Sequence, residues 1–322
     1  MSTSPAAKPL VVSVGAIHAP SQAKLEALYD VRRYFEASDK GAFLKEVANQ
    51  CQIVVTNGGR GVEAEIMKQL PKLKLVANMG VGYDAVDVAY CKAQKIGLSN
   101  TPDVLTEDVA DLALALLLGS MRRIPFGDQH VRTGAWAKAG MPLTLSLQKK
   151  KVLILGMGRI GQSIAKRCLA FNTEIGYSGP RKKSELTFPY FADLVEGSRW
   201  ADVVIAALPG GASTQGTMSR AALEALGPQG TFVNIARGSV VDETALIELL
   251  GNGKLGAAGL DVFLNEPKIN PAFFELGNAV LHPHQGSGTH TTRDAMGDLT
   301  LANVAAFLQG KPLVSEVLPL AH

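Results

Sequence analysis

Three segments in the second half of the chain each carry one side chain useful for reducing a carbonyl group. They are NIARGSVVDE (234–243), GLDVFLNEP (259–267) and LHPHQGSGT (281–289), which contain Arg237, Glu266 and His284. Each segment starts in an apolar run that predicts a strand, and ligands of open α/β sheets bind beyond the carboxyl ends of strands. Taken singly, Glu266 could be a turn acid before Pro267 and Arg237 could form a surface salt bridge. All three in this setting favour a carbonyl-reducing site.

A glycine motif precedes these segments. Residues 156–161 read GMGRIG, directly after the apolar run KVLIL and before QSIAKRCLA. In such a strand–loop–helix, Gly156 permits a tight turn, Gly158 lets the backbone approach a pyrophosphate, and Gly161 lets the helix pack closely on the strand. The free N–H groups of the helix start would then bind phosphate. The sequence predicts a dinucleotide site containing Gly156, Gly158, Arg159, Ile160 and Gly161; the alternative is a glycine-rich structural turn.

The stretch IGYSGPRKKS (175–184) lies where an NAD site usually places an acidic residue, roughly 20 residues after the first glycine. It holds no acid. A carboxylate there would repel a 2′-phosphate, whereas Ser178 can hydrogen-bond one and Arg181 can form a bidentate, charge-assisted pair with it. Lys182 adds long-range attraction. The predicted cofactor is therefore NADP (NADPH), and the alternative is a solvated basic loop.

The elements that must position these residues alternate between strands and helices. Apolar runs at 10–16, 52–58 and 73–80 predict strands, and the stretches 62–70 and 85–95 predict the helices between them. A long helix is expected within 100–124 and a mixed loop over 128–147. A second strand–helix series begins at 151, and the last helix spans roughly Arg293 to Leu308.

This rhythm predicts an α/β protein with two Rossmann-like or flavodoxin-like parallel-sheet domains separated by an active-site cleft. Because the chain enters the second series near residue 100 and leaves it near 285, we expect a discontinuous substrate-binding domain, 1–100 with 286–322, and an NADP-binding domain, 101–285. The crossings at 100–101 and 284–286 would act as hinges for closure over the substrate.

Composition narrows the class of protein. The chain has 322 residues, enough for two domains, and a net charge of +3, too small to predict nucleic-acid binding. Its longest apolar run, 112–121, is shorter than the roughly 20 residues that cross a bilayer. MSTSPAAKP lacks the apolar core of a signal peptide. The three cysteines, Cys51, Cys91 and Cys168, have no metal-ligand spacing, so we expect no metal site and a reducing, cytoplasmic location.

Together with NMGVGYDAVD (78–87), these segments resemble the D-isomer-specific 2-hydroxyacid dehydrogenase family over nearly the whole chain. NTPDVLTEDVADLA (100–113) and the basic loop resemble its NADPH-dependent glyoxylate/hydroxypyruvate and hydroxyphenylpyruvate reductases. The resemblance implies that His284 protonates the carbonyl oxygen as hydride arrives and that Glu266 orients His284. It implies that Arg237 holds the substrate carboxylate and polarises its carbonyl, and that the N–H groups of Val81 and Gly82 bind the carboxylate's other side. These roles suit an imidazole that titrates near neutral pH and a permanently charged guanidinium.

The resemblance also implies further contacts. Thr106, Leu208, Pro209, Ala236, Asp261 and Gly286 would contact the cofactor, and Asn57 and Gly58 would line the substrate pocket. Thr106 could instead cap a helix near Val109, and Asp261 could cap a turn. Two nearby histidines are set aside, His282 as structural and His290 as near or inside the next helix. The chain is expected to form a homodimer in which Trp136 reaches the neighbouring active site; a core aromatic is the alternative.

The leading hypothesis is NADPH-dependent reduction of a small 2-oxo acid, such as glyoxylate or hydroxypyruvate, to the D-2-hydroxy acid. One alternative is a reductase of bulkier aryl-pyruvates such as hydroxyphenylpyruvate. Another, from a different class, is a non-enzymatic, dinucleotide-sensing protein similar to a co-repressor. Detectable turnover would separate the enzymes from the sensor.

Overall fold

The protein folds as two compact units, as shown by a computed structural model that describes residues 7–320. The first unit holds the described residues up to Leu105 and those from Gly288 onward; the second unit is Thr106–Ser287. The first six residues of MSTSPAAKP, the stretch examined for a signal peptide, lie outside the described residues. Within residues 7–320, no helix combines the length and the apolar character needed to cross a membrane.

The first unit is built on a six-stranded sheet in the order β13-β5-β4-β3-β1-β2. Its strands are β1 Leu10–Ser13, β2 Asp30–Arg33, β3 Ile53–Asn57, β4 Leu75–Met79, β5 Gly97–Ser99 and β13 Glu316–Leu318. Its helices are α1 Ala19–Leu28, α2 Lys40–Val47, α3 Ala64–Met67, α4 Val88–Ala93 and α11 His290–Leu308. All strand pairs are parallel except β13, which runs antiparallel to β5. The order 2-1-3-4-5 is the flavodoxin-like one.

The second unit is built on a seven-stranded, fully parallel sheet in the order β12-β11-β10-β9-β6-β7-β8. Its strands are β6 Lys151–Leu155, β7 Glu174–Ser178, β8 Tyr190–Phe191, β9 Val203–Ala206, β10 Thr231–Asn234, β11 Ala257–Leu260 and β12 Ala279–Leu281. Its helices are α5 Thr106–Met121, α6 Ile124–Arg132, α7 Arg159–Leu169, α8 Leu194–Trp200, α9 Arg220–Leu226 and α10 Glu243–Gly251. Numbered from β6, the order is the Rossmann order 3-2-1-4-5-6 with one strand added.

Each unit has its own apolar core because its strands are buried on both faces. Val11 and Val12 of β1 have no exposed surface and contribute to separate apolar clusters of the first unit. In the second unit, Val203 and Val204 of β9 are likewise fully buried. Near-continuous apolar strands of this kind are typical of parallel sheets covered by helices. The predicted α/β class with two parallel sheets is confirmed.

Several elements differ from the sequence-based expectation. Helix α3 is a single turn within the predicted 62–70. The short strands β2, β5, β8 and β13 and the helices α1 and α2 were not predicted. The loop expected over 128–147 overlaps the end of helix α6, which reaches Arg132. Arg132 pairs there with Asp128, one turn earlier, at 2.8 Å. Three short 3₁₀ turns near functional segments are Ala135–Ala137, Ala212–Thr214 and Gly238–Val240.

Candidate active site

The glycine loop lies at the switch point of the second sheet, where β6 is flanked by β7 and β9. Gly156 has a φ of +100°, and a Cβ there would lie 2.8 Å from the Leu208 nitrogen at the end of β9. A Cβ on Gly161 would lie 2.2 Å from the Gly156 oxygen. Both positions therefore require glycine because a side chain would clash with the protein's own backbone. The main chain of Leu208, after β9, packs directly against Gly156.

Gly158 has a different reason to be glycine. It caps helix α7 without a side-chain hydrogen bond, and nothing in the structure lies within 4 Å of a Cβ placed on it. The space beside it is therefore open to a ligand that approaches the backbone. Arg159 and Ile160 form the first turn of α7, so their amides belong to the helix N-terminus, which favours phosphate. These residues fit a dinucleotide pyrophosphate.

The basic loop lines a cavity of about 310 Å³ beside the glycine motif. The lining residues are Met157, Tyr177, Ser178, Gly179, Pro180, Arg181 and Lys183. Lys182, the lysine favoured by the sequence argument, is exposed and is not among them, whereas its neighbour Lys183 is. None of these seven lining residues carries a carboxylate, so their charge suits a phosphate rather than a pair of ribose hydroxyls.

Two tyrosines that the sequence reasoning did not single out hold the basic loop in shape. The Tyr177 hydroxyl accepts the Lys183 N–H at 2.7 Å, and the Tyr190 hydroxyl donates to the Gly179 carbonyl at 2.9 Å. Their rings lie 5.2 Å apart. The loop is thus fastened at both ends to neighbouring strands, with Arg181 exposed between them.

His284 and Glu266 contact each other directly. His284 Nδ1 lies 2.6 Å from Glu266 Oε2, and the other carboxylate oxygen of Glu266 accepts the Phe263 N–H at 2.7 Å. The His284 side chain is 42% exposed, so its ring is accessible. His284 also has a φ of +52°, an unusual backbone conformation for a residue with a side chain and one that is often found at functional sites.

The position of His284 depends on Asp261, which is buried after β11. Its carboxylate accepts the N–H groups of Gln285 and Gly286, both at 2.8 Å, and lies 2.7 Å from His282 Nδ1. The Asp261 carbonyl accepts the His284 N–H at 2.8 Å. These bonds match the turn-capping alternative expected for Asp261, and they give His282 a structural partner.

Burial is the largest single influence on the Glu266 carboxyl and opposes its ionisation. The hydrogen bonds from His284 and from the Phe263 N–H, together with the positive charges of His284 and Arg237, outweigh it and lower the pKa of Glu266 below its usual 4.5. Arg237 is half-buried after β10, and its guanidinium donates to the Ala236 carbonyl at 2.7 Å. The structure therefore brings Arg237, Glu266 and His284 to one edge of the second sheet.

A second carboxylate, that of Glu243, holds the loop after β11, which contains Glu266. It is buried at the start of α10, and its Oε2 accepts the Leu264 N–H at 2.8 Å. Burial raises its pKa, although the bond from Leu264 lowers it in part. Gly238 adds a contact, because a Cβ there would lie 2.0 Å from the Phe263 backbone carbon. The segment after Arg237 is thus fastened to the loop that bears Glu266.

The remaining predicted cofactor residues lie on the same unit. Thr106 is the first residue of α5, half-buried. The Pro209 carbonyl accepts the Thr214 hydroxyl at 2.8 Å, which closes the glycine-rich loop after β9. Ala236 is buried and donates its N–H to Asn234 Oδ1. Gly286 is buried beside Val109 and Asp261.

The predicted substrate residues lie at adjacent strand ends of the first unit. A Cβ on Gly58, after β3, would lie 2.8 Å from the Gly82 carbonyl, after β4. Asn57 holds this edge together, because its Nδ2 donates to the Ala16 carbonyl beyond β1 and its Oδ1 accepts the Gly59 and Arg60 N–H groups. The structure thus groups Asn57 and Gly58 with Val81 and Gly82.

Trp136 is exposed rather than part of a core. It is 67% exposed in a 3₁₀ turn after α6, a helix with no buried residue. Leu143, a few residues on, is fully exposed.

His290 is the first residue of α11. Among the described residues, no three His, Cys, Asp or Glu side chains form a group that could hold a metal.

Comparisons with known proteins agree with this geometry. The model of the D-isomer specific 2-hydroxyacid dehydrogenase NAD binding domain matches residues 114–286. The chain is 41% identical to the hydroxyphenylpyruvate reductase of Plectranthus scutellarioides, over 91% of this chain and 94% of that protein. It is 40% identical to the 2-ketogluconate reductase of Gluconobacter oxydans, over 97% and 99%.

Solved structures match as closely. The NADPH-dependent glyoxylate/hydroxypyruvate reductase of Sinorhizobium meliloti, solved with NADP and malonate, superimposes with a TM-score of 0.91 at 36% identity, over 98% of this chain and 99% of that one. The match extends over both units rather than over a shared Rossmann fold alone. The chain belongs to the D-isomer-specific 2-hydroxyacid dehydrogenase family.

Proposed function

We propose that this protein uses NADPH to reduce a small 2-oxo acid, such as glyoxylate or hydroxypyruvate, to the D-2-hydroxy acid. The observation that carries the proposal is the 2.6 Å contact between His284 Nδ1 and Glu266 Oε2, at the same sheet edge as Arg237 and on the same unit as the glycine loop. A protonated imidazole oriented by a carboxylate is a suitable proton donor for a carbonyl oxygen. The relatives named above, reductases of 2-oxo acids, support the same reaction class.

NADPH would supply the hydride to the carbonyl carbon. His284 would give its Nε2 proton to the carbonyl oxygen, so that the 2-oxo acid gains one hydride and one proton and leaves as the 2-hydroxy acid. Glu266 would hold the Nδ1 side of the ring and balance its positive charge. Arg237 would bind the substrate carboxylate and polarise the carbonyl. Val81 and Gly82 would donate their N–H groups to the carboxylate, with Asn57 and Gly58 shaping the pocket.

The preference for NADPH rests on the cavity at the end of β7. Ser178 and Arg181 line it without a carboxylate, and a 2′-phosphate there would be charge-compensated. Lys183 lines the cavity as well, so we add it to Ser178 and Arg181 and give Lys182 a long-range role only. The pyrophosphate would lie on Gly158, Arg159 and Ile160, with Thr106, Leu208, Pro209, Ala236, Asp261 and Gly286 completing the cofactor site.

We further propose that the chain forms a homodimer through α6 and the segment that follows it. Exposed apolar side chains concentrate there, at Ile124, Phe126, Val131, Trp136 and Leu143. Sedimentation at several concentrations tests this, and a Trp136→Ala variant that lowers activity without dissociating the dimer would support a role for Trp136 in the partner's site. A wild-type monomer would contradict the proposed homodimer.

The three cysteines are free and buried, which suits a reducing, cytoplasmic location.

Product analysis tests the reaction. Purified protein is incubated with NADPH and one oxo acid at a time from glyoxylate, hydroxypyruvate, hydroxyphenylpyruvate and 2-ketogluconate, and the product is separated on a chiral column. We expect one 2-hydroxy acid formed per NADPH consumed, fastest with glyoxylate or hydroxypyruvate. Because glycolate has no stereocentre, the D configuration is tested on the product of hydroxypyruvate. Fastest turnover of hydroxyphenylpyruvate would favour the aryl-pyruvate alternative, which the 41% identical relative supports. Absence of any hydroxy acid would contradict the proposal.

A further inference from the structure

Two buried asparagines of the first unit bind the loop whose N–H groups we have assigned to the substrate carboxylate. Asn78, in β4, is 1% exposed, and Asn100, just after β5, is 9% exposed. The Asn78 amide donates to the carbonyls of Gly80 at 3.2 Å and Gly82 at 3.0 Å. The Asn100 amide donates to the intervening carbonyl, that of Val81, at 3.0 Å.

These bonds fix the direction of the N–H groups as well as of the carbonyls. In a trans peptide the C=O and N–H bonds point in opposite directions. The carbonyl of Gly80 shares a peptide with the N–H of Val81, and the carbonyl of Val81 shares one with the N–H of Gly82. Because both carbonyls point to the asparagines, both N–H groups point away from them. Within residues 7–320, neither N–H has an acceptor.

The bonds of Asn78 require a side-chain amide whose NH₂ group faces the loop. Asn78 bridges two carbonyls that are two residues apart, which takes both hydrogens of one NH₂ group. The Thr101 N–H also donates to the Gly80 carbonyl, at 3.0 Å. An inverted Asn78 amide would bring its oxygen against two carbonyl oxygens, so the surrounding bonds permit one orientation only.

A second layer holds Asn100. Its main-chain carbonyl accepts a hydrogen bond from the Ser315 hydroxyl at 2.6 Å, and that hydroxyl accepts one from the side-chain amide of Asn303 at 2.8 Å. The Asn303 Oδ1 in turn accepts the Ser315 N–H at 3.1 Å, and Asn303 is fully buried in α11. The segment leading to β13 therefore ties the substrate loop to the last helix.

We infer that Asn78 and Asn100 are positioning residues for the substrate carboxylate: they turn the N–H groups of Val81 and Gly82 outward as a preformed anion-binding pair. This inference rests on the proposed function. Neither residue touches the substrate; each acts through the peptide that it orients. Preformed donors bind an anion without the cost of ordering them at the moment of binding.

Asn100→Ala is the first test, with steady-state kinetics against glyoxylate at saturating NADPH. The expected result is a KM for the oxo acid raised about tenfold, the change that loss of one hydrogen bond to a charged group produces. We expect kcat to change by less than about threefold, because the carboxylate is bound alike before and during hydride transfer. The Kd of NADPH, measured by fluorescence titration, should stay within about twofold, since the cofactor residues lie on the other unit.

Asn278→Ala is the matched control. Asn278 binds two carbonyls in the same way, those of Leu250 and Gly256, both at 3.1 Å, but it lies in the second unit among residues with no assigned role in binding. It should leave the KM unchanged. If Asn100→Ala does not fold, Ser315→Ala takes its place. It keeps the Asn100 side chain and removes the hydroxyl that holds the main-chain carbonyl of Asn100, so its KM should rise by a smaller factor.

The outcomes separate this inference from the proposed function. A wild-type enzyme that turns over no oxo acid with NADPH would remove the proposed function. Normal wild-type turnover with an unchanged KM in a folded Asn100→Ala variant would overturn the positioning role alone, as would equal KM increases in Asn100→Ala and Asn278→Ala. A KM increase confined to Asn100→Ala and Ser315→Ala, with NADPH binding intact, supports it.

Discussion

His284 and Glu266 contact each other because hydrogen bonds to main-chain N–H groups fix the position of each residue independently. Asp261 binds the turn that contains His284, and the Phe263 N–H binds Glu266. The imidazole can therefore be held in one orientation without being buried, which leaves its Nε2 accessible to a substrate. An oriented, exposed histidine suits proton transfer better than a deeply buried one, because burial disfavours the charged ring.

Replacing His284, the proposed proton donor, tests this arrangement at the scale of one residue. His284→Gln should lower kcat by about 10²- to 10⁴-fold, the usual contribution of a general acid, while the Kd of NADPH stays unchanged. His290→Gln is the control, because His290 is exposed at the start of α11. Comparable losses of kcat in both variants would show that His284 has no special role.

The choice between NADPH and NADH belongs to the residue scale as well. Arg181→Ala should lower kcat/KM for NADPH by about 10- to 100-fold, the value of a charge-assisted hydrogen bond, and leave NADH almost unaffected. Lys182→Ala should have a smaller effect, because Lys182 does not line the cavity. Parallel titrations with both nucleotides measure this; similar effects of the two substitutions would remove the special place of Arg181.

Residue types in sequence order predicted much of this site, but side-chain direction could not be read from them. The GMGRIG motif and the missing acid after Ile175 are visible as letters. Which of Lys182 and Lys183 faces the cavity depends on how Tyr177 and Tyr190 hold the loop, and that is a tertiary contact. The same is true of Asn78 and Asn100, whose amide bonds to the loop of Val81 and Gly82 leave no signature in composition or spacing.

Helix α7 and the glycine loop permit a prediction at the scale of an element. Gly161→Ala should lower the Tm of the ligand-free protein, because its Cβ would meet the Gly156 oxygen at 2.2 Å. Gly158→Ala should leave that Tm nearly unchanged, because the added Cβ meets open space, yet it should weaken NADPH binding. Thermal unfolding and nucleotide titration on both variants check this. A Gly158→Ala variant with undiminished NADPH affinity would contradict the proposed position of the pyrophosphate.

Two carboxylates hold the loop after β11, Glu266 within the loop and Glu243 at the start of α10. Their pKa shifts are opposite, and they predict opposite pH dependences of stability. The pKa of Glu243 is raised, so its charged form destabilises the fold above the folded pKa and costs nothing below about 4.5. Glu243→Gln should therefore raise Tm at neutral pH, because the glutamine side chain carries no charge to bury and keeps an oxygen that can accept the Leu264 N–H. This gain should shrink as the pH is lowered towards 4.5.

Glu266→Gln is the counterpart. The pKa of Glu266 is lowered, so its charged form stabilises the fold above about 4.5, and that stability is lost as the pH falls through the folded value. The variant should have a lower Tm than the wild type at neutral pH, with the difference closing in acid. Thermal unfolding between neutral pH and about pH 3 measures both variants; differences of the same sign at neutral pH would contradict the assignment.

Strands and helices could be predicted where the apolar pattern was long. The prediction failed for short elements with a weak apolar pattern. The buried strand runs were expected in the right places, because parallel strands covered on both faces read as continuous apolar segments. Helix α6 was expected as loop beyond residue 127, because the segment 128–147 contains Gly134, Gly140 and Pro142, which favour a loop. Strand β13 was missed because it is three residues long and pairs with the distant β5.

At the scale of the whole molecule, the residues of the proposed site are divided between two sheets of different strand order. The Rossmann-ordered sheet carries the glycine loop and the side chains of Arg237, Glu266 and His284; the flavodoxin-ordered sheet carries the loop of Val81 and Gly82. In each sheet these groups follow the carboxyl ends of parallel strands, where such folds bind ligands. The fold class was therefore readable from the alternation of elements, whereas the antiparallel β13 edge was not.

The most direct test of the central claim, NADPH-dependent reduction of a 2-oxo acid, is the initial rate of reduced-nicotinamide loss with NADPH and with NADH against glyoxylate and hydroxypyruvate. The account predicts turnover of at least one of these acids with kcat/KM for NADPH at least about tenfold above that for NADH. Equal use of the two nucleotides would contradict the assignment of Ser178, Arg181 and Lys183 to a 2′-phosphate. No loss of either nucleotide would contradict the proposed reaction itself.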